Sequence, residues 1–145
     1  MTTFSWTWII GTWDLESQEN FNEYLKETGS DFVERAKFGV LKPTLLIRSD
    51  GEHVVVTINQ AASNGNTKID FVFGREHNAD YVGRPKPEMQ TTYVAEVVAS
   101  DVVVCTDVAN ANNSVTFEYV DATGQLFVRM RAGLVVATRI FKRRT

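Results

Sequence analysis

Apolar and polar residues alternate over most of this chain with the period of two that marks a half-buried strand. The pattern is cleanest at 67–74, where Ile69, Phe71 and Phe73 fall on one face and Lys68 and Asp70 on the other. At 115–120, Val115, Phe117 and Tyr119 oppose Thr116 and Glu118. At 125–131, Leu126, Val128 and Met130 oppose Arg129 and Arg131. Further strands are predicted at 4–16, 44–48, 53–59, 90–99 and 102–108, with a last one after Gly133. Ser49-Asp50-Gly51, Ser100-Asp101 and Thr123-Gly124 supply turns between them, and 77–86 reads as a polar loop. In the last strand alternation alone is silent. Val135, Ala137, Arg139 and Phe141 form one face, and Val136, Thr138 and Ile140 form an equally apolar second one.

One region breaks the period. After Ser17, a candidate helix cap, Phe21, Tyr24 and Leu25 fall three and four apart, and Gly29 closes the segment. Ser30 caps a second short helix with Asp31 in its first turn, Phe32 and Val33 apolar, and Gly39 at its end. The two helices make an insert over about 17–40, too short and too acidic to read DNA. About ten short strands with one helical pair predict an all-β fold in one domain spanning 1–145. Their even spacing argues a barrel or a sandwich, and full closure into a barrel would remove exposed strand edges.

Composition narrows the function. A formal net charge of −3 gives no basic footprint for nucleic acid. A lone Cys105 cannot form an internal disulfide, which suits a reducing compartment. No apolar run approaches the ~20 residues of a membrane helix. The first ten residues lack a basic stretch, so a cytoplasmic location is expected. His53 and His77 stand on separate segments, with no triad spacing, metal-ligand cluster or glycine-rich phosphate loop. Neither enzyme activity, metal nor cofactor is expected.

Several segments, in order, resemble one family. They are Gly11-Thr12-Trp13, Glu19-Asn20-Phe21 with Tyr24-Leu25, Arg35, Lys42-Pro43-Thr44, Asn66-Thr67 with Ile69, Phe71 and Gly74, and Val136-Ala137-Thr138-Arg139-Ile140-Phe141. Together they resemble the intracellular lipid-binding proteins, most of all the fatty acid-binding branch. The resemblance implies a ten-stranded antiparallel up-and-down barrel of the calycin type, a β-clam lidded by two helices. It implies a monomeric carrier with a fatty acid in its cavity. In that branch two arginines and a tyrosine hold the carboxylate.

Carried over residue by residue, Arg139 matches the last-strand arginine. Phe141 falls where many members have the tyrosine. Tyr119 stands where the other arginine is expected, and Trp13 looks like the family's structural tryptophan. The turn at 61–65 is longer than the family's and lacks its usual phenylalanine. Phe21, Phe32, Phe71, Phe117, Val128, Met130 and Phe141 are expected to line the cavity. A buried guanidinium requires an anion or several hydrogen bonds, so Arg139 is the expected head-group anchor, with Tyr119 as a neutral donor. The implied function is carriage of a long-chain fatty acid or related hydrophobic carboxylate. A retinoid or another lipid is the alternative within the family, and a structural or protective barrel with little use for ligand is the alternative outside it. Across the lid, Lys26, Arg35 and Lys37 face Glu19, Glu23, Glu27, Asp31 and Glu34, a net of −2. Attraction to anionic membranes is therefore weak, membrane contact at most transient, and transfer through water is expected.

Overall fold

The computed structural model describes residues 6–29, 32–33, 35–36, 42–59, 66–79 and 91–144. A 3-10 turn at Thr7–Ile9 leads into β1 (Gly11–Glu19), followed by α1 (Phe21–Glu27). The remaining strands are β2 (Thr44–Asp50), β3 (His53–Asn59), β4 (Asn66–Val72), β5 (Glu76–Ala79), β6 (Thr91–Ala99), β7 (Val102–Asp107), β8 (Asn113–Val120), β9 (Gln125–Ala132) and β10 (Val135–Arg143). All ten form one antiparallel sheet in the order β4-β3-β2-β1-β10-β9-β8-β7-β6-β5. The sheet curls into a nearly closed barrel, as the resemblance implied.

Three boundaries differ from the sequence expectation. The opening strand begins at Gly11 rather than at residue 4, because Thr7–Ile9 coil into a 3-10 turn that buries Ile9 against the barrel. Ser17 is not a helix cap: it pairs with Ile140, and β1 continues to Glu19. The turn into α1 is made by Asn20, which adopts the left-handed conformation (φ 62°, ψ 16°) that asparagine tolerates better than most residues. Residues 77–79, read as the start of a polar loop, belong to β5 (Glu76–Ala79), paired with β6. Four residues with two polar outward side chains are too short a stretch for alternation to separate strand from loop. Of the second helix, Phe32, Val33, Arg35 and Ala36 are described and are helical. Its cap Ser30, Asp31 and Gly39, the turn at 61–65 and the loop from 80 onward lie outside the described residues.

The 3-10 turn is fixed by the last strand. Trp13 Nε1 donates to the Ile9 carbonyl at 2.9 Å. The Arg143 guanidinium lies 4.2 Å from the centroid of the Trp13 ring and donates to the carbonyls of Ile10 (2.6 Å) and Trp8 (2.7 Å). Trp8 and Trp13 both meet the Tyr119 ring, at 6.1 and 6.2 Å. This cluster plugs one end of the barrel, and α1 lies at the other, where Asn20 Nδ2 donates to the Val136 carbonyl.

β4 and β5 are the two edges of the sheet, and no ladder joins them among the described residues. Aromatic rings bridge this seam instead. Phe71 on β4 stacks on His77 of β5 at 5.0 Å, and His77 on Tyr93 of β6 at 6.1 Å. Phe73 extends the column to Trp6.

Candidate functional site

Strand β10 settles what alternation left open. Ala137, Arg139 and Phe141 are buried, while Val136 is exposed. The guanidinium of Arg139 therefore points inward, and the residue is only 4% exposed. Register builds the wall around it. Arg139 pairs with Val128 on β9, and Val128 with Phe117 on β8, so the three side chains lie in one inward row. Leu45, Val56, Ile58 and Phe141 complete the enclosure of a space of about 10 Å³ at the guanidinium. That is room for about one water-sized group.

On the other flank, Arg139 Nε donates to Gln18 Oε1 at 3.0 Å, and the guanidinium carbon lies 4.1 Å from the centroid of the Phe21 ring. Gln18 reaches the site because of a bulge. Leu15 pairs with Phe141, but the register shifts between Leu15 and Ser17, and Gln18 rather than Ser17 comes opposite Arg139. The extra residue reverses the parity of the strand. Period-2 reading cannot anticipate that, and Gln18 was not among the residues singled out from sequence. The same is true of Leu45, Val56 and Ile58, whose apolar character is shared by every core strand.

Burial pulls the Arg139 pKa down to about 10, still far enough above neutrality to keep the group charged. Among the described residues no carboxylate pairs with it. One amide oxygen and one aromatic face are modest compensation for a desolvated charge, so the site is electrostatically suited to an anion. With Nε on Gln18, the two Nη groups carry the remaining four donors in the fork geometry that matches a carboxylate.

The other expected site residues divide. Phe117, Val128 and Phe141 bound the space beside Arg139, and Phe21 covers the guanidinium from the first turn of α1. Met130 is buried one inward row nearer the lid end, opposite Ala137. Phe71 is buried but belongs to the seam column with His77. Tyr119 stands in the row of Leu126 and Phe141, and its half-buried ring packs in the tryptophan cluster. No hydrogen bond or ring contact joins it to Arg139, so the expected second donor is not gathered at the guanidinium. Phe32 is 75% exposed and does not line the interior. Its helical pattern gave the spacing of a lid residue but not the direction in which the lid turns it.

Among the described residues no helix is long and apolar enough to cross a membrane. No family model matches the sequence. The chain is 44% identical over 68 residues to human fatty acid-binding protein 9, a match covering 47% of this chain and 50% of that protein. It is 43% identical over 68 residues to fatty acid-binding protein homolog 7 of Caenorhabditis elegans, covering 47% of this chain and 48% of that one. The chain thus spans about half the length of the curated relatives it matches. Its fold is similar over a longer stretch to a solved REP1-NXSQ fatty acid transporter, with a TM-score of 0.80 and 25% identity over 94% of this chain and 96% of that one. A Schistosoma mansoni fatty acid binding protein in complex with arachidonic acid gives a TM-score of 0.81 at 21% identity, over 96% and 98% of the two chains.

Proposed function

We propose that this chain, which by sequence and fold belongs to the intracellular lipid-binding protein family, carries a long-chain fatty acid or related hydrophobic carboxylate inside its barrel. The observation that carries this reading is Arg139: an inward, buried guanidinium with no carboxylate partner among the described residues, set in an apolar wall. The head group would take the Nη donors of Arg139 and displace whatever fills the small space beside it. Gln18 and Phe21 would hold the guanidinium in place, which spares the ligand the entropy of ordering it. Burial of the chain at up to ~0.8 kcal/mol per methylene would then supply most of the affinity. With Phe141 apolar and Tyr119 committed to the tryptophan cluster, the anchor is a single charge, and the wall matters more than in a site with two.

In this reading the protein is a carrier and not an enzyme, acts as a monomeric one-domain barrel in the cytoplasm, and meets membranes only transiently. Native mass spectrometry of the purified protein, followed by titration with palmitic acid, tests it. Wild-type protein should retain or bind fatty acid, and Arg139→Gln should weaken binding about tenfold or more, the loss of a charge-assisted hydrogen bond. A barrel that neither co-purifies with lipid nor responds to palmitic acid would rule the carrier reading out in favour of a structural role.

A further inference from the structure

The strand that supplies Gln18 carries an acid close by on either side of it. Over 16–20 the side chains of Glu16, Ser17, Glu19 and Asn20 are exposed, and Gln18 alone is half-buried and meets Arg139. The bulge makes that selection. With unbroken pairing from Leu15 opposite Phe141, Ser17 would come opposite Arg139. The extra residue brings Gln18 there instead and leaves Glu19 opposite Thr138, on the outer face of β10. Glu16 stays at the surface, its Oε1 accepting from Gln125 Nε2 at 2.6 Å. The side chain that reaches the buried guanidinium is therefore a neutral amide, set between two carboxylates that face water.

Amide and carboxylate are far apart in effect at this place. A carboxylate within hydrogen-bond distance of a buried guanidinium would neutralise it, and a second anion would then enter a site already balanced. The amide oxygen accepts from Nε at 3.0 Å and fixes the guanidinium without cancelling its charge. The Phe21 ring on the same group adds no charge either. Among the described residues that single hydrogen bond is the one the guanidinium makes. Burial is the cause of the lowered Arg139 pKa, and no anion opposes it. We propose that Gln18 is a specificity-determining residue of the anchor: it orients Arg139 without neutralising it, so that the barrel selects an ionised fatty acid over the alcohol or ester of the same chain. This rests on the carrier reading and refines its ligand class. Such selectivity is a difference of affinities, and the charge at residue 18 sets its size. A carboxylate there would itself be the anion that Arg139 requires and would repel the ligand's own.

Displacement of a fluorescent fatty acid probe by palmitic acid and by hexadecanol tests the assignment. Wild-type protein should prefer the acid about tenfold or more, the worth of a charge-assisted hydrogen bond. Gln18→Glu should bring the two ligands to within about twofold of each other by weakening the acid. Gln18→Met, of similar length but with neither charge nor an oxygen for Nε, should weaken the acid about threefold and leave it preferred. An acid preference that persists in folded Gln18→Glu would overturn the assignment and leave the carrier reading intact. So would loss of the preference in Gln18→Met, because the residue would then act by positioning alone. The methionine variant decides the matter if Gln18→Glu does not fold, as judged by near-UV circular dichroism. Equal binding of acid and alcohol by wild-type protein would overturn the assignment as well. Failure to bind either lipid would overturn both it and the carrier reading.

Discussion

At Gly11 the backbone φ is +149°, and a Cβ there would run into the Arg143 guanidinium that is held by the Trp8 and Ile10 carbonyls. Gly11→Ala should therefore destabilise the fold by about 1–3 kcal/mol, measured by chemical denaturation, with the strained φ and the displaced arginine both contributing. A loss below a few tenths would show that Arg143 swings aside without cost. Asn20 is the opposite kind of position. Its left-handed φ of 62° suits glycine and is poorly met by a β-branched side chain. Asn20→Gly should be close to neutral and Asn20→Val should cost about 1–2 kcal/mol. In sequence Gly11 stood out only within the Gly11-Thr12-Trp13 resemblance, and nothing there pointed to Arg143 as the group approaching it. Those two residues are neighbours only through the pairing of the first and last strands.

At the scale of elements, the seam between β4 and β5 is where the barrel depends on side chains instead of a hydrogen-bonded ladder. His77 sits in that column with its pKa lowered by burial. A histidine that prefers to be neutral in the folded state leaves stability unaffected well above its unfolded pKa of about 6.5, where both states are neutral. As pH falls below that value the unfolded chain takes up the proton first, and stability is lost until the folded-state pKa is passed. Denaturation midpoints should fall between pH 7.5 and 5, and the fall should be smaller in His77→Phe. An equal slope in both would place the effect on other groups. The strand that carries His77 was invisible to alternation because it is only four residues long, whereas β8 and β9 were legible in both extent and direction.

For the whole molecule, hydrogen exchange should separate the two halves of the sheet. Amides of β9 and β10, laddered on both sides, should be among the slowest, while outward-facing amides on the unpaired edges of β4 and β5 should exchange first. Uniform protection around the barrel would mean that the aromatic column closes the seam as firmly as a ladder does. The lid end combines an acidic helix, with Glu23 in its first turn, and the exposed side chains of Phe32 and Val33. Loaded protein should give up its ligand to zwitterionic and anionic vesicles at similar rates, because the net acidic sequence of the lid opposes attraction to the latter. A steep rise with anionic vesicle concentration would refute that.

What the sequence determined by itself is whatever a strand or helix states locally: the all-β class, the inward faces of β8 and β9, the presence of a helix after the first strand, and an arginine in the last one. These follow from periods of two and 3.6 that each segment carries on its own. The family resemblance implied that Arg139 faces inward, but periodicity could not choose, because both faces of β10 are apolar, and tertiary structure decided it through pairing with Val128 and Gln18. It also brought Gln18 to the guanidinium through a bulge, sent Tyr119 to the tryptophan cluster, and turned Phe32 to solvent. Apart from Phe32, which lies on the helical insert, each of these depends on register between strands, and one residue of slip would reverse the outcome.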